Sequence, residues 1–256
     1  MAAFAPRHIP EEMKTAYTLN GRIPVFDYYI NEVGNNKTID WTDEYLRSFI
    51  DRFTADKIIN DQTGNESYPY GSKFHLLAFM KHLRSIVDKK IAVVGSQTPW
   101  IESILVNLCA KEVVTVEYNV PICNHNIIRT ISYDEFCKSS ETYDVIVSYS
   151  SIEHSGLGRY GDSLNPNGDI EAMEQFHRHL NTDGLCFLGV PVGKDFLAWN
   201  AHRIYGDIRL NMLYLNGKFK ELEWVGSDRN YIHNCPDTPG WEPHYVQPVI
   251  ILRKQT

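Results

Sequence analysis

Lys90-Ile91-Ala92-Val93-Val94-Gly95-Ser96-Gln97-Thr98-Pro99-Trp100-Ile101-Glu102 leads, ten residues later, into Val113-Val114-Thr115-Val116-Glu117-Tyr118-Asn119, and this stretch decides the fold. Ile91 to Gly95 is a short apolar run closed by glycine. Trp100 to Ala110 has helical spacing, and Val113 to Tyr118 is rich in β-branched residues. Strand, helix, strand in that rhythm is the pattern of a parallel sheet with crossover helices. The alternation continues: a short strand is expected through Ile127 to Ile131, then a strand at Tyr143 to Tyr149, a helix at Asp169 to Leu180 with Asp169 as its cap, and a strand at Leu185 to Pro191. Phe219 to Gly226 and Val246 to Arg253 read as two strands joined by a loop, which predicts an antiparallel closing pair.

Upstream the pattern is different. Thr42 to Phe53 puts Tyr45, Leu46, Phe49, Ile50 and Phe53 on one helical face behind Thr42 as N-cap. After the turn-like Tyr68-Pro69-Tyr70-Gly71, Phe74 to Val87 carries a second apolar stripe. The division expected is a helical extension over residues 1–89 and a Rossmann-like α/β domain over 90–256. With 256 residues, 43% hydrophobic and 12% aromatic, the chain has ample material for a core. The 25 Lys+Arg against 32 Asp+Glu give a net charge of −7, which argues against general affinity for nucleic acid or anionic membrane. Five cysteines with no C-x-x-C pair predict reduced thiols, and no apolar run approaches the roughly 20 residues of a membrane span. Met1 to Pro10 has no apolar signal-peptide segment, so a soluble cytoplasmic protein is expected.

In an open α/β sheet, ligands bind beyond the carboxyl ends of the strands where strand order reverses. The first segment selected by that rule is Gly95 to Glu102, where glycine permits a tight turn and the helix start offers free N–H groups; Ser96, Gln97, Thr98 and Glu102 are its polar side chains. The second is Glu117-Tyr118-Asn119: an acid ending a strand 22 positions after Gly95 can accept both ribose hydroxyls of an adenosine-containing cofactor. The third, from Ser148 through Ser150, Glu153, His154, Arg159, Tyr160 and Asp162 to Asp169, packs carboxylates, imidazole, guanidinium and phenol onto a glycine-rich backbone, as a substrate loop would. The fourth holds Lys194, Trp199, Asn200, His202, Arg203 and Tyr205.

These four segments, above all Glu153-His154-Ser155-Gly156-Leu157-Gly158-Arg159-Tyr160-Gly161-Asp162, resemble the uncharacterised family DUF268, known from nematodes and bacteria, over roughly Gly21 to the C-terminus. That family in turn resembles the class I S-adenosylmethionine-dependent methyltransferases. The resemblance implies a seven-stranded sheet with an antiparallel last pair. It also implies S-adenosyl-L-methionine as cofactor, Gly95 as first motif glycine, Glu117 as ribose acid, and Glu153-His154 as the dipeptide closing the fourth motif. Val93 stands where such enzymes usually carry an acid, and Gln97 and Pro99 where they carry further glycines. Gln97, Thr98 or Glu102 are the residues available to replace those contacts, with Tyr118 and Ser150 completing the expected cofactor set.

Methyl transfer to a hydroxyl needs alignment of donor and acceptor and removal of one proton. His154 is the first choice of base, with Glu153 to orient it and a structural role as its alternative; His202 is the second choice. Arg159 and Arg203 suit a carboxylate, phosphate or sugar acid, and surface ion pairing explains them equally well. Tyr160, Asp162, Lys194, Asn200 and Tyr205 complete the expected acceptor set, with Trp199 and Tyr205 suited to stacking on a ring. No resident metal is expected. A magnesium- or manganese-assisted variant through Glu153, His154, Asp162 and Asp169 is a lesser reading. The reading is O-methylation of a small polar, sugar or glycan acceptor, sugars because bacterial relatives resemble enzymes of surface-polysaccharide modification. Its rival is a non-catalytic binding protein on a degenerate methyltransferase fold. An NAD-type oxidoreductase is disfavoured because the first turn lacks G-x-G-x-x-G. The oligomeric state is left open.

Overall fold

The computed structural model describes residues 5–33, 40–64, 70–236 and 244–255. Ahead of the sheet come α1 (Glu11–Tyr17), β1 (Val25–Tyr28), β2 (Asp40–Trp41), α2 (Asp43–Arg52), α3 (Ala55–Ile59) and α4 (Gly71–Lys81). Thr42 caps α2 as expected, its hydroxyl accepting the Tyr45 N–H at 3.2 Å. This region was expected to be helical only, yet it also supplies two short strands. Tyr68 and Pro69 of the expected turn lie outside the described residues, as do 237–243 of the loop before the last strand.

The alternating part follows as β3 (Lys90–Val94), α5 (Trp100–Asn107), β4 (Glu112–Glu117), β5 (Ile122–Cys123), β6 (Ile128–Ser132), α6 (Tyr133–Lys138), β7 (Tyr143–Tyr149), α7 (Gly168–His179) and β8 (Leu180–Gly189). Then come β9 (Phe196–Asn200), β10 (His202–Ile204), α8 (Asp207–Leu213), β11 (Phe219–Val225), α9 (Tyr231–Asn234) and β12 (Val249–Lys254). The seven-stranded sheet has the order β11-β12-β8-β7-β3-β4-β6. All pairs from β8 to β6 are parallel, and β12 runs antiparallel to both β8 and β11. The expected closing pair is therefore present, although β12 starts at Val249 because Val246 instead bridges Val192, exchanging N–H···O bonds of 2.8 and 3.1 Å.

Both faces of the sheet are covered, which is why its strands read as continuous apolar runs. Ile91, Val93, Val113 and Phe187 pack with Leu46, Phe79, Ile101 and Leu105 from α2, α4 and α5. Ala92, Val94, Ile146 and Leu188 pack with Phe136, Met173, Phe176 and Leu210 from α6, α7 and α8. A third cluster joins Tyr17 and Ile23 near the start of the chain to Leu157, Leu197 and Trp199. It accompanies a small sheet in which β1 pairs in parallel with β9, and β9 antiparallel with β10. Residues 5–33 thus brace the loops beyond β7 and β8 rather than the main sheet. Strand order reverses between β3 and β7, which opens a crevice at their carboxyl ends.

Candidate active site

That crevice holds a cavity of about 580 Å³, within the range of about 300–1,000 Å³ of small-molecule sites. Gly95, Ser96, Gln97 and Thr98 after β3, Glu117 ending β4 and Tyr118 after it, and Ser150 after β7 all line it. So do His154, Tyr160 and Asp162 of the third segment. Tyr118 and Tyr133 face each other at one end with ring centroids 5.0 Å apart, and Trp100 and Tyr149 form an apolar patch edge-to-face. Tyr133 lies outside the four segments selected from the sequence, and Trp100 and Tyr149 fall inside two of them without an assigned role. A signal existed for Tyr133, since Ser132-x-x-Glu135 is a capping box that starts α6 beside the carboxyl end of β6.

Gly95 adopts φ +83, and a Cβ there would lie 2.0 Å from the Ser151 hydroxyl. The glycine is thus required by close approach of the β3 and β7 loops, and not only by tightness of the turn. Glu102 does not line the cavity. It lies behind the turn, fully buried, where its carboxylate accepts the Ser96 hydroxyl at 3.1 Å and the Thr115 hydroxyl at 2.8 Å. Burial pushes its carboxyl up to about 7 against the pull of those bonds. Glu117 takes the Tyr118 N–H at 3.1 Å, and burial raises its carboxyl too.

His154 differs from the expected neutral-pH base. Its Nδ1 lies 2.6 Å from the Ala201 carbonyl, so Nδ1 carries a hydrogen and Nε2 the lone pair. Burial, then the Arg159 charge, depresses the imidazole to about 3. Nε2 is 3.7 Å from Glu153 Oε1. Glu153 sits behind the wall, and burial raises it to about 7, opposed by its contacts with Ser150 and the Ser151 backbone. The imidazole is therefore neutral near pH 7, while Glu153 is divided between its neutral and charged forms. His202 is not part of the cavity lining; its ring meets His154 at 6.3 Å and Tyr245 at 5.6 Å.

The expected positive rim is not formed. Arg159 makes a two-pronged pair with Glu32, both contacts 3.2 Å, and lies over the Tyr160 ring. Arg203 is buried beneath the loop and donates to the carbonyls of Glu153, Ser155, Asn165 and Pro166. Asn200 and Tyr205 are fully buried: the Asn200 amide oxygen accepts the Ile30 N–H at 2.9 Å, and the Tyr205 hydroxyl donates to Asp169 at 3.0 Å. Lys194 is also away from the cavity. Asp169 is not the cap of α7, which begins at Gly168 after Asn167. It pairs instead with Arg209, at 2.8 and 2.5 Å. Asp162 binds its own loop, taking the N–H groups of Gly156 at 2.7 Å and Gly158 at 3.2 Å. Glu153, His154, Asp162 and Asp169 therefore do not converge, and among the described residues no cluster of three metal-ligand side chains occurs. The lining has two carboxylates, Glu117 and Asp162, and no lysine or arginine among the described residues.

A seven-stranded sheet in this order, with an antiparallel end pair and a cavity at its reversal point, defines the class I methyltransferase fold. Within that fold the chain belongs to the DUF268 family, described as a Caenorhabditis protein of unknown function; the family model matches residues 88–232, a narrower span than the sequence resemblance. No curated protein matches the sequence. Among solved structures, the chain is similar to 1,6-didemethyltoxoflavin-N1-methyltransferase from Burkholderia thailandensis, with 1,6-didemethyltoxoflavin and S-adenosylhomocysteine bound. That match has a TM-score of 0.52 and 14% identity, over 83% of this chain and 90% of the other. It is also similar to N-methyltransferase NodS from Bradyrhizobium japonicum WM9, with a TM-score of 0.50 and 12% identity, over 75% of this chain and all of the other. At such identity these likenesses show the fold. No helix among the described residues is long and apolar enough to cross a membrane.

Proposed function

We propose that the protein transfers a methyl group from S-adenosylmethionine to the hydroxyl of a small polar acceptor, with sugar and glycan hydroxyls the first class to test. The observation that carries this reading is the cavity at the strand reversal, which has Glu117 in its wall and no lysine or arginine in its described lining. The cofactor has a net positive charge and supplies an activated methyl on its sulfonium. Glu117 would hold the ribose hydroxyls, Tyr118 and Tyr133 the base, and the Gly95 to Thr98 turn the amino-acid end. An acidic cavity suits that charge and suits an uncharged acceptor better than the anionic one that Arg159 and Arg203 promised.

Proton removal falls to His154 and Glu153 together. The imidazole offers only Nε2, which would take the acceptor's hydroxyl proton as the new O–C bond forms and the sulfonium C–S bond breaks; Glu153, 3.7 Å away and ionised in part near pH 7, would balance the imidazolium so formed. Calorimetric titration with S-adenosylhomocysteine tests the cofactor site: wild type should bind, and Glu117→Ala should bind at least tenfold more weakly. Absence of binding at millimolar ligand would sink the reading. Methyl transfer from labelled cofactor to a panel of sugars separates an enzyme from a binding module, which would bind without turnover.

A further inference from the structure

Ser96 lines the cavity, and its hydroxyl lies 3.1 Å from both the Glu102 carboxylate and the Thr98 carbonyl. Glu102 reaches this place from the first turn of α5, and its second oxygen is held by Thr115 from the middle of β4. The carboxylate therefore sits one hydroxyl behind the turn, in a dry interior between α5 and the sheet. No lysine or arginine hydrogen-bonds to it or pairs with it among the described residues. Its acidic neighbour is Glu117 at the end of β4, and the Cys123 thiol of β5 lies within electrostatic reach of both Glu102 and Asp43 of α2. From α4 the ionisable group meeting α5 is His75, in ring contact with Trp100 and kept neutral by burial. Among the described residues no cation pairs with an ionised Glu102, so its carboxyl keeps its proton unless positive charge is supplied from the cavity.

We propose that Glu102 is a positioning residue whose ionisation is coupled through Ser96 to positive charge in the cavity, so that the site holds the cationic sulfonium cofactor in preference to its neutral thioether product. This rests on the cofactor reading above and adds to it a means of releasing product. S-adenosylmethionine differs from S-adenosylhomocysteine by a methyl group and one positive charge. An ionised Glu102 distinguishes them by that charge, whereas a protonated Glu102 does not. In a medium of low dielectric, a carboxylate this close to the wall would favour the cation roughly tenfold. The Glu102 carboxyl, held at about 7, lies where its proton is readily lost on arrival of a cation near neutral pH.

The test is calorimetry with S-adenosylmethionine and S-adenosylhomocysteine on the full chain, at pH 6 and pH 8.5 and in two buffers of different ionisation enthalpy. The expected result is proton release on binding S-adenosylmethionine near pH 7 but little on binding S-adenosylhomocysteine, with the affinity ratio shifting roughly tenfold towards S-adenosylmethionine as pH rises. In Glu102→Gln, which keeps the shape and a hydrogen-bond acceptor, that release and the shift should vanish. Equal proton release for both ligands, a ratio independent of pH, or an unchanged profile in Glu102→Gln would overturn the proposal while leaving the methyltransferase reading intact. If neither ligand binds at either pH, both fall. Should Glu102→Gln not fold, the wild-type proton count for the two ligands decides alone.

Discussion

Arg159 and Glu32 form a two-pronged ion pair that joins the start of the chain to the loop lining the cavity, and the Glu32 N–H also donates to the Arg159 carbonyl at 3.0 Å. The next residues, Tyr160 to Ser163, are cavity wall. Glu32→Ala should therefore loosen residues 156–163 more than it unfolds the protein. A stability loss of about 1 kcal/mol is expected for a partly exposed pair, with faster amide exchange confined to that loop. Unchanged exchange there would show that the loop stands without its brace.

The Asp169–Arg209 pair is of a different kind, since both side chains are almost fully buried. Asp169→Ala leaves Arg209 charged in a dry interior and should cost about 3–5 kcal/mol, measured by urea denaturation. Burial pushes the Asp169 carboxyl up, but the Arg203 and Arg209 charges and the Arg209 hydrogen bonds hold it below its ordinary value. The stability it contributes is thus present above the ordinary aspartate pKa of about 3.9 and lost as pH falls through the folded value. The variant should lack that part of the acid transition.

Gly95→Ala should combine two penalties, a positive φ and a Cβ overlapping Ser151. About 1–3 kcal/mol of stability should be lost, together with cofactor binding. Adding Ser151→Gly removes the overlap but not the backbone strain, so it should restore part of the melting temperature. Full restoration would show that φ at this position is cheap.

His75 is fully buried, with Nδ1 2.7 Å from the Gly71 carbonyl, and burial lowers its imidazole to about 4. The unfolded chain takes up a proton below about 6.5 and the folded one only near 4, so stability is lost between those values as pH falls. His75→Gln should reduce that loss by up to about 3 kcal/mol. Glu102 and Glu153, raised to about 7, act with the opposite sign: their contribution is full below the ordinary carboxyl pKa and is lost as pH rises through 7. The wild-type minus variant difference isolates the histidine, and an identical acid limb in both proteins would refute its buried neutral state.

The sheet was legible because its strands are short apolar runs punctuated by glycine and helix signals, all local features. Glu117 was legible for the same reason, being the acid on which a strand ends. The arginines were not. Arg203 and Arg159 sit in polar stretches and read as rim cations, but Arg203 serves carbonyls left open by the loop between β7 and α7, 37 to 50 residues upstream, and Arg159 answers Glu32 from far upstream. Asp169 read as a helix cap because its partner, Arg209, lies 40 residues on. The same holds for His154: its spacing revealed an imidazole near the site, while the Ala201 carbonyl that fixes its tautomer and the burial that keeps it neutral are properties of the assembled fold.

The pairing of β1 with β9 joins Val25 to Leu197 and Tyr28 to Asn200. On a ribosome making about 5–20 residues per second, Val25 emerges roughly ten to thirty seconds before its partner strand exists. For that interval Tyr17 and Ile23 lack the Leu197 and Trp199 surface they later close on. The brace of the cavity wall is among the first pieces synthesised and among the last able to fold, so a nascent chain presents its apolar side to any chaperone that binds early segments.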